Sequence, residues 1–221
     1  VRPVSLALRG IAAFFARDIR LEVEGLEHLP HSGGALLAVR HYHHLYDGVA
    51  LVRGLPRLPH LFVALDWVRT PWQRAGMERL CSLAEWPVAL RAENLVDGVR
   101  GPFAPGDARR YVRRSIRDGA ALLRRGEVVA IFPEAYPTID PAGERKAGDE
   151  FLPFRPGLLA IAREAERNGP AIPIVPVGLH YARRKQWEIV LRLGAPLRPQ
   201  GHGSRSGVLQ ELAARVRDLS T

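Results

Sequence analysis

Apolar and polar positions along the chain switch between a helical and a strand-like period, and the switches predict the order of elements. Val4, Leu8, Ile11, Phe14, Phe15 and Ile19 recur at helical spacing among Arg9, Arg17 and Arg20. They predict an amphipathic N-terminal helix, either packed on the core or lying with its aromatics dipped into a bilayer interface. Leu21-Glu22-Val23-Glu24 alternates as an edge strand does, and Pro30, Gly33 and Gly34 turn the chain into an unbroken apolar run, Ala35 to Val39, that reads as a buried strand. Val49 to Val52 open a helix, and after Pro56 and Pro59 the run Leu61 to Leu65 predicts a second buried strand. Thr70-Pro71 has the form of an N-cap and first helical position for a helix over about 72–83, and Trp86 to Leu90 predicts a short strand ending at Arg91. Residues 94–106, rich in Gly and Pro, predict a loop.

A helix is predicted from Ala108 to Arg125, stopped by Gly126, with Arg109, Arg110, Arg113, Arg114 and Arg117 on its solvated side. Glu127 to Phe132 predicts a third buried strand, ending in Pro133-Glu134, and residues 135–150 are irregular and polar. A helix follows from about Gly157 to Asn168, then the most β-like run of the chain, Ile172 to Leu179. Pro173 and Pro176 lie inside that run, and because proline cannot donate to a ladder the strand is expected at an edge or bulged. Glu188 to Leu193 predicts one more strand, Gly201 to Gly207 a turn, and Val208, Leu212, Val216 and Leu219 a final amphipathic helix. Strands alternating with helices predict an α/β fold: a single domain over 21–221 with a mixed, largely parallel sheet flanked by helices, preceded by the amphipathic helix of residues 1–20.

Composition sharpens this picture at a few points. Hydrophobic residues make up 47% and charged residues 25%, an ordinary globular balance that argues against disorder. The net charge is +9 and the basic residues are almost all arginine, Lys146 and Lys185 being the only lysines, so an anionic partner is expected. Cys81 is the single cysteine, which excludes a disulfide within these residues and fits a reducing compartment. No apolar run approaches the roughly 18–20 residues of a transmembrane helix and no signal-peptide layout appears, so the chain is expected in solution or on a membrane surface. It opens on Val1 rather than methionine, which leads us to expect residues upstream.

The candidate chemistry gathers at strand ends. Arg40-His41-Tyr42-His43-His44-Leu45-Tyr46-Asp47 follows the Ala35–Val39 strand and leads into a helix, the place where an open α/β sheet projects side chains into its crevice. Histidine suits proton transfer near neutral pH, and a carboxylate nearby can hold its tautomer. Glu134 is delivered in the same way by the strand before it.

These blocks resemble the glycerolipid acyltransferases, typified by lysophosphatidic acid acyltransferase. That family carries a His after a strand and an Asp five residues on, at the start of a helix. A second block ends in arginine, as Trp86-Pro87-Val88-Ala89-Leu90-Arg91 does, and a third reads Phe-Pro-Glu-Gly-Thr-Arg-Ser, matched here by Phe132-Pro133-Glu134-Ala135-Tyr136-Pro137-Thr138. A fourth is matched by Ile174-Val175-Pro176-Val177, and Val23-Glu24-Gly25-Leu26, Phe154-Arg155-Pro156-Gly157 and Leu193-Gly194-Ala195-Pro196 also have the family's look. The resemblance runs from about Glu22 to Pro196. It implies a glycerol-3-phosphate acyltransferase-like fold and transfer of a fatty acyl group from an acyl thioester to a lysophospholipid hydroxyl. Acyl-CoA or acyl carrier protein would be the co-substrate, with no metal and no other cofactor. It further implies an anionic membrane surface as partner, no nucleic acid, and a peripheral location on the cytoplasmic face of the plasma membrane. A histidine would act as general base oriented by Asp47, Glu134 would position the acceptor, and Arg91 would grip a phosphate.

Two departures stand out. Five residues before Asp47 lies Tyr42, with His41 one further out and His43 one closer. His41 directly follows the strand and is favoured; His43 is i, i+4 to Asp47 and would share a helix face with it; His44 is expected to be a neighbour or supporting donor. Pro137 stands where the family has an arginine thought to grip the acceptor phosphate, a charge that Arg91, Arg155, Arg145 or Lys146 could supply, unless the acceptor is not a phosphate ester. The rival readings are a metal-dependent hydrolase, with His41, His43, Asp47 and Glu134 as ligands, and a non-catalytic arginine-rich protein binding membrane or nucleic acid.

Overall fold

A computed structural model describes residues 3–91, 93, 103–104, 106–140, 146, 150–167, 169–198 and 204–221. Its elements are α1 (Pro3–Phe15), β1 (Ile19–Glu24), β2 (Ala35–Val39), α2 (Tyr46–Gly54), β3 (Pro59–Leu61), β4 (Val63–Ala64), α3 (Pro71–Leu83), β5 (Val88–Ala89), α4 (Asp107–Arg124), β6 (Val128–Ile131), α5 (Gly157–Glu166), β7 (Ile174–Arg183), β8 (Trp187–Leu193) and α6 (Arg205–Asp218). Most of the loop expected over 94–106, and the turn expected over 201–207 up to its third residue, lie outside the described residues, as do Arg145, Asn168 and His202.

The six-stranded sheet has the order β1-β8-β7-β2-β6-β3, and only the β7–β8 pairing is antiparallel. A mixed, mostly parallel sheet with helices on both faces is therefore the fold. The apolar run of β2 explains its central place: all five residues are buried. Successive side chains point to opposite faces, so Ala35, Leu37 and Val39 pack with Ala12 of α1 and Val49 to Val52 of α2. Leu36 and Ala38 pack on the other face with Leu122 and Leu123 of α4, Leu158 and Ile161 of α5, and Val208 and Leu212 of α6. Each such fully buried leucine stabilises the fold by about 1.5–3 kcal/mol relative to exposure.

One expectation is corrected, and of two alternatives left open for the proline-bearing strand the structure takes the bulge. The run Leu61 to Leu65 is not one strand. Phe62 N–H still bonds to Ala130 O at 2.9 Å, beside β6, whereas Val63 N–H turns to Pro87 O at 3.0 Å and starts a separate two-stranded sheet of β4 and β5. The proline-bearing run is not at an edge: β7 lies inside the sheet between β2 and β8. Its ladder does shift there. Ile174 bridges Leu197 while Val177 faces Leu193, so three steps along β7 match four on the partner side, and Pro176 falls where no donor is required.

Local signals hold at the helix ends. Thr70 caps α3 with its side chain accepting from Gln73 N–H, and Gln73 answers Thr70 N–H in a capping box. Gly126 ends the turn after α4 with φ of 82°. α1 is docked on α2, where Arg9 donates to the carbonyls of Val52, Leu55 and Pro56, each at 3.1 Å. No helix among the described residues is long and apolar enough to cross a membrane.

Candidate active site

β2, β6 and β5 end on one side of the molecule and deliver His41, Glu134 and Arg91 to it. His41 Nδ1 lies 2.8 Å from Asp47 Oδ2, although the pair is one residue further apart in sequence than the family spacing. The extra residue is absorbed by the turn, because Asp47 also accepts Tyr42 N–H at 2.8 Å and His43 N–H at 3.0 Å. Asp47 is fully buried in the first turn of α2, where a carboxylate is favoured by the helix dipole. With Nδ1 donating to Asp47, Nε2 of His41 carries the lone pair. The imidazole stacks on Phe132, centroids 4.4 Å apart.

His43 does different work. Its Nδ1 accepts from Leu45 N–H at 3.2 Å and Tyr46 N–H at 3.3 Å, satisfying donors at the start of α2 that would otherwise be orphaned. Burial, reinforced by the neighbouring His44, pushes its pKa down to about 4, against the opposing pull of Asp47. It is a neutral acceptor in the fold rather than a partner of Asp47 through its ring. His44 is on the rim, its Nδ1 3.3 Å from Ile139 O.

Glu134, to which the resemblance gives a role in positioning the acceptor, is turned inward. Oε1 accepts His41 N–H at 2.9 Å, and Oε2 accepts Lys146 Nζ at 2.5 Å and Leu152 N–H at 3.1 Å. Lys146 also donates to His41 O at 2.7 Å, so the buried ion pair grips both backbone polar groups of His41. Burial lowers the Lys146 pKa, and Glu134 pulls it back up. Lys146 is therefore spent on the His41 backbone, not offered to a phosphate.

Arg91 reaches the site but is already engaged. Nε and Nη2 pair with the buried Asp66 at 2.8–3.1 Å, and Nη1 donates to Ala135 O at 2.8 Å. Arg155 is not brought to His41: it is half-exposed, bonds to Glu93 and sits over Tyr136. The Arg155 bond holds the Glu93 carboxyl down at about 2.

His41 opens onto a groove of about 700 Å³. Leu8, Ile11 and Phe15 of α1 form one wall, Val49 and Val52 of α2 the next, and Trp67, Met77 and Leu80 the far side, with Arg91 and Pro137 beside His41. The metal chelate considered from sequence does not assemble: His43 caps α2, Glu134 is in an ion pair, and among the described residues no group of three or more His, Cys, Asp or Glu is placed to hold an ion. Sequence reasoning missed Asp66 and Tyr181. Asp66 carried a signal, a carboxylate following a strand-like run as Glu134 does. Tyr181, whose hydroxyl donates to Asp47 Oδ1 at 2.6 Å, carried none, since it arrives through the antiparallel extension of β7 on β8.

A family model described as acyltransferase matches residues 20–180. The crystal structure of the 1-acyl-sn-glycerophosphate (LPA) acyltransferase PlsC from Thermotoga maritima superposes with a TM-score of 0.61 at 17% identity, covering 97% of this chain and 77% of that one. No curated protein matches significantly in sequence.

Proposed function

The chain belongs to the acyltransferase family, and from that premise we propose that it moves a fatty acyl group from an acyl thioester to a hydroxyl of a lysophospholipid, 1-acyl-glycerol-3-phosphate being the first acceptor to test. The observation that carries this reading is the His41 Nδ1–Asp47 pair at 2.8 Å, set at the floor of a largely apolar groove. His41 Nε2 takes the proton of the acceptor hydroxyl as its oxygen attacks the thioester carbonyl. The C–O bond forms, the C–S bond breaks, and the thiolate leaves with the proton that His41 returns. Asp47 stabilises the imidazolium between those steps. The Glu134–Lys146 pair keeps His41 in place through its backbone, and the fatty chain lies against Leu8, Val49, Val52 and Met77. Coenzyme A and an acyl carrier protein both present the thioester chemistry this site requires.

The protein would work peripherally at the cytoplasmic face of the plasma membrane, a reading supported by the exposed apolar side chains at the groove's mouth and the basic charge. The test is thiol release from palmitoyl-coenzyme A, with and without lysophosphatidic acid. Acceptor-dependent release is expected for the wild type and for folded His43→Ala, and a loss of about 10²–10⁴-fold for His41→Ala. Release that ignores the acceptor indicates a thioesterase. No release with any lipid acceptor or acyl carrier overturns the proposal.

A further inference from the structure

Asp47 is met from two directions. The turn after β2 supplies His41 Nδ1 and the N–H groups of Tyr42 and His43, while Tyr181 comes from the opposite side, out of the β7–β8 hairpin. Each carboxylate oxygen then accepts two hydrogen bonds: Oδ2 from His41 and Tyr42, Oδ1 from His43 and Tyr181. The phenol is not there by accident of packing. Its ring stacks on Tyr42 with centroids 4.4 Å apart and meets Trp187 edge-on at 5.8 Å, which fixes the direction of the hydroxyl.

We propose that Tyr181 is a positioning residue of the acyl-transfer site: its hydroxyl orients Asp47 and sets how strongly that carboxylate holds the His41 imidazolium. The inference rests on the reading of His41 as general base. Of the four donors to Asp47 among the described residues, two are backbone groups that no substitution can tune and one is the base itself, which leaves Tyr181 as the side-chain donor that can be removed without touching the base. A hydrogen bond donated to a carboxylate draws off part of its charge and fixes its rotation. Tyr181 stays a donor throughout the working range, because burial and the adjoining Asp47 hold its phenol well above the ordinary tyrosine value. The other charged or titratable groups around this network are Tyr42, stacked on Tyr181, with Arg40 beside it; Arg183, over Trp187; Lys146 and Glu134, beneath the His41 backbone; His43 and His44, in the turn, with Tyr46 against His43; and Arg91 and Asp140, lining the groove. None of the hydrogen bonds described for them puts a side-chain donor on Asp47, so none substitutes for the phenol.

Tyr181→Phe keeps the ring, its stacking and its edge contact while deleting the one hydrogen bond. With the hydroxyl gone, Asp47 loses the bond that fixes its rotation, which misaligns the base and lowers kcat, while more of the carboxylate charge faces His41, which raises the ring's affinity for a proton. The expected result in palmitoyl-coenzyme A thiol release is a fall in kcat of roughly tenfold with KM unchanged, the worth of one bond to a charged group. The acid limb of the kcat/KM profile moves to higher pH. The same move is expected in the titration of the His41 ring followed by NMR in the full chain, a readout that requires no turnover. A role in packing alone predicts the reverse pattern: Tyr181→Phe silent in all three, and only Tyr181→Leu harmful, through stability. An unmoved His41 titration in Tyr181→Phe overturns the inference whatever the rates do. A moved titration in a protein whose wild type transfers no acyl group leaves the Tyr181–Asp47–His41 network standing and removes the acyltransferase reading instead.

Discussion

At the scale of single residues, His43 sets an acid limit on the fold. Its pKa falls from 6.5 when unfolded to about 4 when buried. Between those values the unfolded chain binds a proton that the native state refuses, so stability rises with pH across the window. The contribution is complete above pH 6.5 and is lost as pH falls toward 4, roughly 3 kcal/mol in all. Urea midpoints at pH 7 and pH 4.5 are expected to differ less in His43→Asn, which keeps a side-chain acceptor near the Leu45 and Tyr46 N–H groups but does not titrate there. Ala135 bears on stability in a different way, through its backbone. It stands where the family pattern has glycine, and the turn holds it at φ of 68°, a left-handed conformation that costs an L residue about 1–2 kcal/mol. Part of that cost is offset by the lower backbone entropy of alanine in the unfolded chain, so Ala135→Gly is expected to gain up to about 1 kcal/mol, read as a rise in Tm. The turn keeps its place in either case, because Ala135 O is gripped by Arg91.

At the scale of elements, α1 belongs to the site through a contact at the far end of α2. The Arg9 guanidinium takes the Val52 carbonyl in the last turn of α2 and those of Leu55 and Pro56 just beyond it, which suits both their lone pairs and the negative end of the helix dipole. Leu8 and Ala12 lie on either side of Arg9 and wall the groove, so Arg9→Ala is expected to loosen that wall. KM for a long-chain acyl donor should rise several-fold while a short-chain donor is little affected, a split read from thiol release with the two donors. What could be read in the sequence follows the same local logic. The buried run of β2, the Thr70 cap and the Gly126 stop were legible because each is written in adjacent residues. The His41–Asp47 pair was legible as a pair of residue types on a strand-to-helix turn, and His41 was favoured for directly following the strand, but spacing alone did not exclude His43, because an added turn residue changes spacing without changing geometry. The parts that escaped are non-local. The break at Phe62 depends on which neighbour takes the next N–H, and the interior place of β7 depends on a ladder shift that spares Pro176. Lys146 comes from an irregular segment to close on Glu134, and no periodicity marks that arrival.

At the scale of the molecule, two apolar lips frame the groove and two forces act on them. Ile11 and Phe15 on α1, and Trp67 and Leu80 on the α3 side, line the groove and are exposed as well; beyond them Phe14 is 56% and Trp72 73% exposed. A soluble surface gains nothing by showing large side chains beside an apolar cleft, whereas an interface lets the lips dip among acyl chains and opens the groove to a lipid acceptor. The net charge of +9 would supply the second force at such an interface, a long-range attraction to anionic headgroups. The two differ in their response to salt: near 1 M the Debye length is about 3 Å and the charge attraction is screened, while apolar burial persists. Cosedimentation with anionic phospholipid vesicles is therefore expected to weaken but survive for the wild type at about 1 M salt. Phe14→Ser/Trp72→Ser, which leaves the groove lining intact, should lose about tenfold in binding at low salt and release fully at high salt. Binding that salt abolishes in the wild type, with no difference for the double variant, would make the membrane contact purely electrostatic and leave the exposed lips without a lipid to meet.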